Sequence, residues 1–189
     1  MTVINEPRNS SANERAHGAA GAAKGTRRTR FADYVWAAAR ISLGWIFLWA
    51  FLDKLFGLGR ATPSEGAWLD GGSPTTGFLA NAPTGPLQSF YNDIAGAAWA
   101  DWMFMLGLAA IGVALILGIG VRIAAGAGAL MLVLMWTAVL PPANNPVMDD
   151  HLIYAMVLIG LAAINAGNVL GLGAWWGDTA LVRRYPILR

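Results

Sequence analysis

The chain has 189 residues, of which 56% are hydrophobic and only 13% are charged, and its mean hydropathy is +0.49. Soluble domains carry about a quarter charged residues, so this composition indicates a membrane protein, with room for one compact bundle. There are no cysteines, which excludes disulfides, thiolate metal sites and cysteine-held iron–sulfur clusters. The sequence pI near 9.3 reflects basic residues that flank apolar runs, and it does not imply a nucleic-acid partner.

The first part of the chain differs from the rest. It is rich in Asn, Ser, Gly and Ala, with scattered charge and almost no large apolar side chain. Such a stretch cannot form a core, so we predict a disordered, basic, cytoplasmic tail over residues 1–30. Residues 31–189 then form a single transmembrane domain.

Four apolar runs predict four membrane spans, each close to the ~20 residues that a crossing helix needs. We place them at residues 34–52, 102–121, 123–140 and 151–170. Pro141 and Pro142 end the third span, because proline cannot donate the next helical hydrogen bond. The connections after spans two and three are short, so spans two, three and four are antiparallel neighbours. The predicted fold is an all-α membrane protein, a four-transmembrane-helix bundle.

Small residues at four-residue spacing predict where helices approach closely in lipid. The set on span two is Ala110, Ala114 and Gly118, and the set on span three is Ala124 and Gly128.

The distribution of Lys and Arg predicts the orientation. The tail, the turn at Arg122 and the C-terminal segment hold nearly all of them, whereas the opposite side holds only Lys54 and Arg60 beside most of the carboxylates. The positive-inside rule then places both termini in the cytoplasm and the acidic loops outside, in a bacterial-type plasma membrane.

The outer loop between spans one and two is much longer than a turn requires. In its second half Leu87, Phe90, Tyr91 and Ile94 fall on one helical face, after Thr84 as an N-cap. We predict a short amphipathic interfacial helix that lies on the outer membrane surface, either as a lid over the bundle or as an anchor with no part in a site.

Candidate functional residues cluster at the outer ends of spans one and four. Asp149, Asp150 and His151 begin span four, and His151 is the only histidine after His17. Ionisable groups at the membrane edge are functional candidates, so we predict His151 and Asp150 as catalytic residues. The alternative for either aspartate is to cap the helix.

Asp53 and Lys54 end span one on the same side, and we predict that they bind substrate or quinone. A carboxylate at a helix C-terminus lies at the unfavourable end of the helix dipole. Asp53 is therefore expected to need a cation such as Lys54, Arg60 or protonated His151, whereas Lys54 has the alternative of snorkelling to the interface.

Arg40 and Trp68 complete the predicted substrate- or quinone-binding set. Arg40 lies about two turns inside span one, where it either snorkels or faces the bundle. In the bundle it would pair with Asn165 or Asn168, or donate to a quinone carbonyl. Trp68 lies in the turn-rich first half of the outer loop.

Several of these stretches, in this order and spacing, resemble the DoxX/DoxD family of small four-helix membrane proteins. They are residues 40–44, 53–55, 71–79, 112–118 before Arg122, and 145–154. The loop stretch 71–79 is similar to the DoxD branch, the large subunit of thiosulfate:quinone oxidoreductase.

The resemblance implies a quinone-linked oxidoreductase subunit that oxidises a small sulfur compound at the outer face, with quinone between spans one and four. The alternative is a non-catalytic accessory or assembly subunit of a larger membrane (respiratory) complex. With one histidine outside the tail and no cysteine, the chain alone is expected to hold no haem, iron–sulfur cluster or metal. The expected partners are membrane lipid and either other membrane subunits or further copies of the chain.

Overall fold

A computed structural model of the protein describes the backbone over residues 10–189 and the side chains over residues 30–189. The chain divides into two units, residues 1–35 and residues 36–189, and the second holds the packed helices. The predicted disordered tail, residues 1–30, lies outside the part whose side chains are described, and it stays a prediction.

The described part is built from helices, and the long ones are rich in the apolar and small residues that pack in lipid. In chain order they are α1 (Ser10–Phe56), α2 (Thr76–Asn81), α3 (Gln88–Asp93), α4 (Ala98–Leu117), α5 (Val121–Ala138), α6 (Asp150–Ala163), α7 (Gly173–Gly177) and α8 (Ala180–Arg184).

Three helical segments are long and apolar enough to cross a membrane: Arg30–Phe56, Ala98–Leu117 and Val121–Ala138. They confirm the first three predicted spans, with α4 beginning and ending a few residues earlier than expected. Helix α4 ends at Gly118, whose left-handed conformation (φ 73°) is the usual way to close a helix.

The fourth span is shorter than predicted. Helix α6 ends at Ala163 after 14 residues, about 21 Å of helix, instead of continuing to residue 170. Asn165 and Leu170 both adopt positive φ, so the apolar run after Ala163 forms tight turns that fold back under the bundle. The predicted span ran past this point because Ile164, Val169 and Leu170 are apolar, although Asn165 and Asn168 interrupt the run.

The predicted interfacial helix is present as a 3-10 turn, Gly85–Leu87, followed by the six-residue α3. Tyr91 is buried, whereas Leu87 and Phe90 are exposed. The apolar positions therefore do not share one buried face, and of these three side chains only Tyr91 is buried.

Glycines set the closest helix contacts. A Cβ built on Gly112 would lie 2.7 Å from the main-chain nitrogen of Leu48, and one on Gly44 would lie 2.9 Å from Ile116 Cγ1. Helices α1 and α4 therefore meet backbone to backbone, and they run antiparallel. The predicted stripe on span two holds only in part: Ala110 is exposed, and Gly112 makes the contact with α1, but Gly118 is buried and a Cβ on it would lie 2.8 Å from the carbonyl oxygen of Gly167.

The predicted stripe on span three is confirmed. Ala124 and Gly128 are both buried, and a Cβ on Gly128 would lie 2.8 Å from Leu158 Cδ1 of α6. The core that joins the four long helices is aliphatic, with Phe47 from α1 at its centre; its other fully buried large side chains include Met105, Leu115, Leu158 and Leu161.

This topology gives the bundle two chemically different ends. At the loop end α1 and α5 finish, α4 and α6 begin, and the long loop (residues 57–97) folds. At the arginine end lie Arg40 and Arg122, with the segment after α6.

Candidate functional site

The connection from α5 to α6 ends in an aspartate that has two partners. Asp149 is the N-cap of α6: its backbone is extended and Oδ1 accepts a hydrogen bond from the main-chain N–H of Leu152, at 3.2 Å. Its other oxygen, Oδ2, lies 2.7 Å from Nδ1 of His151. One carboxylate therefore starts the helix and holds the imidazole.

Asp150, predicted as the catalytic partner of His151, is the more distant carboxylate. Its Oδ1 lies 3.7 Å from Nδ1 of His151, and 70% of the side chain is exposed. The carboxylate in hydrogen-bond contact with the imidazole is Asp149, for which capping had been an equal alternative. The two readings of that residue turn out to be compatible, because each uses a different oxygen.

Within the described residues, Asp149, Asp150 and His151 are also the group whose ligand atoms lie close enough, within 4.8 Å of one another, to hold a metal ion. In the arrangement seen, however, both oxygens of Asp149 and Nδ1 of His151 are engaged with one another or with the helix. The geometry favours a histidine–carboxylate pair with Nε2 as the remaining imidazole nitrogen.

A cavity of about 520 Å³ opens on the Asp149 side of this pair, and His151 itself is not among its lining residues. Its lining combines apolar side chains with amides and carboxylates: Val139, Pro142, Ala143, Asn144, Asn145, Met148, Asp149 and Asp150. The volume is within the range of small-molecule sites, and the lining is divided evenly between apolar and polar residues.

The cavity wall is held by specific hydrogen bonds. Asn145 Oδ1 accepts from the main-chain N–H groups of Val147 and Met148, both at 3.0 Å. Trp136 Nε1 donates to the carbonyl of Val147 at 2.8 Å. The segment looks irregular in sequence, but these contacts give it a defined shape.

The long loop (residues 57–97) also contacts the segment that carries Val139 of the cavity lining. Thr84 donates its main-chain N–H to the carbonyl of Ala138 and its hydroxyl to that of Leu140, both at 2.9 Å. Tyr91 places its hydroxyl 2.9 Å from the carbonyl of Leu134 and 2.6 Å from Thr137 Oγ1. The loop is therefore fastened to the end of α5, directly before Val139 of the cavity lining.

A second fastening involves a residue that sequence reasoning did not single out. Asp101, buried in the first turn of α4, accepts three hydrogen bonds through Oδ1. The donors are Ser73 Oγ at 2.9 Å, the Thr75 main-chain N–H at 3.1 Å and Thr75 Oγ1 at 2.6 Å. Ser73 and Thr75, which belong to the Gly-Gly-Ser-Pro-Thr stretch that carries the family resemblance, are thus the hydrogen-bond donors to this carboxylate.

Asp53 is buried at the end of α1, and it does not use the cation that was expected. Its two oxygens accept the main-chain N–H groups of Arg60, Ala61 and Thr62 at 2.9–3.1 Å. Successive backbone amides supply the positive potential that a cation would otherwise provide. This turn of the loop could have been anticipated from Gly57 and Gly59, which both adopt positive φ.

Lys54 and Trp68 lie on the inner side of the loop. Lys54 Nζ is 6.0 Å from the centre of the Phe104 ring. Trp68 packs edge-on against Trp102, with ring centroids 4.7 Å apart. Among residues 30–189, none of the hydrogen bonds or ion pairs joins Asp53 or Lys54 to His151, so their combination in one site stays a prediction.

Arg40 lies at the arginine end and faces the bundle, as one of its two sequence-based interpretations predicted, but its partners are main-chain carbonyls instead of asparagine side chains. The side chain is 0% exposed, so it does not snorkel. Its Nη1 donates to the carbonyls of Leu115 and Ile116 in the last turn of α4, and its Nη2 to those of Val169 and Leu170 at 3.1 and 2.8 Å.

Neither of the asparagines expected to pair with Arg40, Asn165 and Asn168, accepts a hydrogen bond from it among the described residues. Asn165 Oδ1 accepts from Arg122 Nη2 at 3.2 Å. Arg40 instead lies at the negative end of the α4 dipole, where a cation is stabilising. Its Nη1 and Nη2 groups are directed at these carbonyls, whereas the buried Nε has no hydrogen-bond partner among the described residues, so a role of Arg40 towards a quinone stays a prediction.

Comparison with known proteins decides the family. A family model described as DoxX matches residues 35–141, more than half of the chain. The chain belongs to the DoxX family. The match is to DoxX as a whole and does not distinguish the DoxD branch. No curated protein and no solved structure matches the chain significantly.

DoxX membership and the three long apolar helices together make this an integral membrane protein in contact with lipid. The DoxX match includes Arg40, Asp53, Trp68 and Asp101 and ends at residue 141. The histidine–carboxylate pair of α6 lies beyond it.

Proposed function

We propose that this DoxX-family protein is a quinone-linked membrane oxidoreductase subunit whose site is the cavity at the loop end. The observation that carries the proposal is the position of the His151–Asp149 pair, 2.7 Å between Nδ1 and Oδ2, beside a cavity of about 520 Å³. A proton-exchanging group next to a partly apolar cavity is what quinone chemistry requires of a protein.

The residues of the cavity fit a quinone head group. Val139, Pro142 and Met148 supply apolar wall, and Asn144 and Asn145 supply amides that can donate to carbonyl oxygens. A bound quinone would supply the two-electron, two-proton redox chemistry. The site proposed from sequence lay between spans one and four, and the cavity moves it to the junction of α5 and α6.

His151 has a defined task in this proposal. Asp149 accepts a hydrogen bond from the Nδ1–H of His151 and so fixes the orientation of the ring. Nε2 is then the nitrogen that takes up or releases the proton that accompanies electron transfer. Asp150, which is exposed and lines the cavity, connects the pair to water. The proposed donor is a small sulfur compound such as thiosulfate, with Lys54, a partly buried cation at the loop end, to receive it.

The test uses the full chain in membranes, together with any subunits that copurify. Reduction of a short-chain quinone analogue by thiosulfate is followed for wild type, His151→Ala and a matched control, Arg60→Gln, which alters an exposed residue of the long loop. His151→Ala is expected to lower the rate by about 100-fold or more, the usual contribution of general acid–base catalysis. Equal rates in wild type and His151→Ala would reject the assignment.

A second function is favoured by a different observation. The carboxylates of Asp53, Asp101 and Asp149 all accept hydrogen bonds from the loop or helix beside them, which is what a scaffold requires. In this alternative the protein is a non-catalytic accessory subunit of a larger membrane assembly, such as a respiratory complex. Affinity purification in a mild detergent distinguishes the two: stable partner subunits, and loss of assembly in His151→Ala without loss of any quinone reaction, would identify the accessory role.

We also infer that both termini face the cytoplasm and that the loop end faces outward. Arg40, Arg122 and Arg183 lie at one end, whereas Asp53 and Asp149 lie at the other, as the positive-inside rule requires. The absence of cysteine allows a clean test with single-cysteine variants. A membrane-impermeant maleimide should label Asn144→Cys in intact cells and Arg183→Cys only after permeabilisation; the reverse pattern contradicts the orientation.

A further inference from the structure

The segment after α6 forms a compact structure at the arginine end, which we call the C-terminal collar (residues 170–189). It consists of α7, α8 and the 3-10 turn Pro186–Leu188. Main-chain contacts fasten it to the bundle: the Leu172 N–H donates to the carbonyl of Leu117 at 2.8 Å, and the Arg122 N–H donates to the main-chain oxygen of Arg189 at 2.9 Å. Val182 of α8 is buried.

The collar also closes on itself. Trp176 Nε1 donates to the carbonyl of Leu188 at 2.6 Å, and Thr179 caps α8 by accepting the N–H of Val182. The segment therefore presents a fixed surface to its surroundings.

That surface is unusually apolar. Trp175 and Ile187 are 65% and 64% exposed. The other exposed large apolar side chains of the collar are Leu170, Leu172, Leu181 and Tyr185. Tryptophan and tyrosine concentrated at the end of a transmembrane bundle are typical of the zone where lipid head groups meet hydrocarbon.

Basic residues are interleaved with these apolar ones. Arg183, Arg184 and Arg189 are exposed, and the one acidic residue between residues 164 and 189 is Asp178. Among residues 30–189, the ion pairs all involve His151, so the collar arginines are not neutralised by carboxylates of the described chain. The guanidinium of Arg184 lies 5.6 Å from the Tyr185 ring, next to the apolar face.

We propose that the C-terminal collar is a binding surface for anionic phospholipid head groups. The aromatic and aliphatic side chains enter the head-group boundary, and Arg183 and Arg184 contact the phosphates there. Net positive charge on the surface selects anionic over zwitterionic lipid, because the apolar contribution is the same for both. The surface is at the opposite end from the proposed quinone cavity and does not depend on it.

The experiment is lipid retention by the purified full chain. Delipidated protein is mixed with equal amounts of phosphatidylglycerol and phosphatidylcholine, and the bound lipids are counted by native mass spectrometry. Wild type is expected to prefer phosphatidylglycerol. Each arginine near a lipid surface contributes about fivefold to this preference, so Arg183→Gln lowers it about fivefold and Arg183→Gln/Arg184→Gln lowers it about 25-fold.

Two further variants complete the test. Arg60→Gln removes an exposed arginine at the loop end and should leave the preference unchanged. Arg183→Lys/Arg184→Lys keeps the charge and should keep the preference, which guards against a double glutamine variant that does not fold. Equal retention of the two lipids by wild type, or an undiminished preference in a folded double glutamine variant, would overturn the proposal.

Discussion

Nδ1 of His151 lies 2.7 Å from Oδ2 of Asp149, while Oδ1 of the same carboxylate accepts the N–H of Leu152. The start of α6 and the orientation of the imidazole are therefore determined by one side chain. A change at Asp149 should affect both the stability of the protein and the orientation of the His151 ring. The two effects can be separated by the choice of substitution.

Asp149→Ala removes the cap and the histidine partner, whereas Asp149→Asn keeps an oxygen that can cap. We expect Asp149→Ala to lower the free energy of unfolding by about 1 kcal/mol and Asp149→Asn to lower it much less. Reversible unfolding in mixed micelles measures this. Asp150→Ala, at the exposed neighbour, should stay within about 0.5 kcal/mol of wild type; a loss as large as that of Asp149→Ala would contradict the capping role.

The attachment of the long loop to α5 depends on Gly85. It adopts φ 69°, and a Cβ at this position would collide with the carbonyl oxygen of Leu140. Gly59 is the matched control, because it has φ 77° but open space around it. Gly59→Ala is expected to cost about 1 kcal/mol from backbone strain alone, and Gly85→Ala clearly more. Thermal unfolding compares them, and equal costs would show that the loop yields freely at Leu140.

Asp101 organises the loop through Ser73 and Thr75. Asp101→Ala leaves a buried hydroxyl and a buried N–H without their acceptor, and each such group costs about 1–3 kcal/mol. We expect the loop to detach and become sensitive to limited proteolysis between residues 57 and 97. Asp93→Ala, at an exposed carboxylate of the same loop, should be cleaved no faster than wild type. If both variants are cleaved equally fast, Asp101 is not the anchor.

Arg40 joins α1 to the end of α4 and to Val169 and Leu170. Arg40→Leu removes donors from these carbonyls in a buried place and should lower the free energy of unfolding by about 3 kcal/mol. Arg40→Lys keeps the charge but loses the planar fork that reaches two segments at once, so we expect an intermediate loss. Unfolding in mixed micelles ranks the variants, and a lysine variant as stable as wild type would show that charge alone matters.

The sequence predicted the long apolar segments well because Arg30–Phe56 of α1, α4 and α5 are each long and apolar, and length plus composition suffices for such segments. The sequence did not predict the partners of buried charged side chains that hydrogen-bond to the main chain. Asp53 binds amides and Arg40 binds carbonyls, and main-chain atoms leave no signature in the side-chain sequence.

The candidate site shows the same division. The cluster at the start of α6 was identified from residue type and position. Which aspartate contacts His151 was not, because it is decided by the extended backbone of Asp149 at the helix N-cap. Asp101 was missed because it lies at a helix start, where a carboxylate has an ordinary structural explanation. Its partners, Ser73 and Thr75, were visible only as a small-residue loop motif.

Arg40 has a further consequence for how the protein is made. Its partners lie 75 to 130 positions later in the chain, so the first helix enters the bilayer before they have been synthesised. Until then the guanidinium lacks its native carbonyl partners, and an arginine within an inserting helix is costly, by up to roughly 2.5–3.5 kcal/mol at the helix centre and less nearer the end. Stable membrane integration of the first helix is therefore expected to follow translation of residues 115–170, and ribosome-stalled chains that stop short of them should remain extractable by alkaline carbonate.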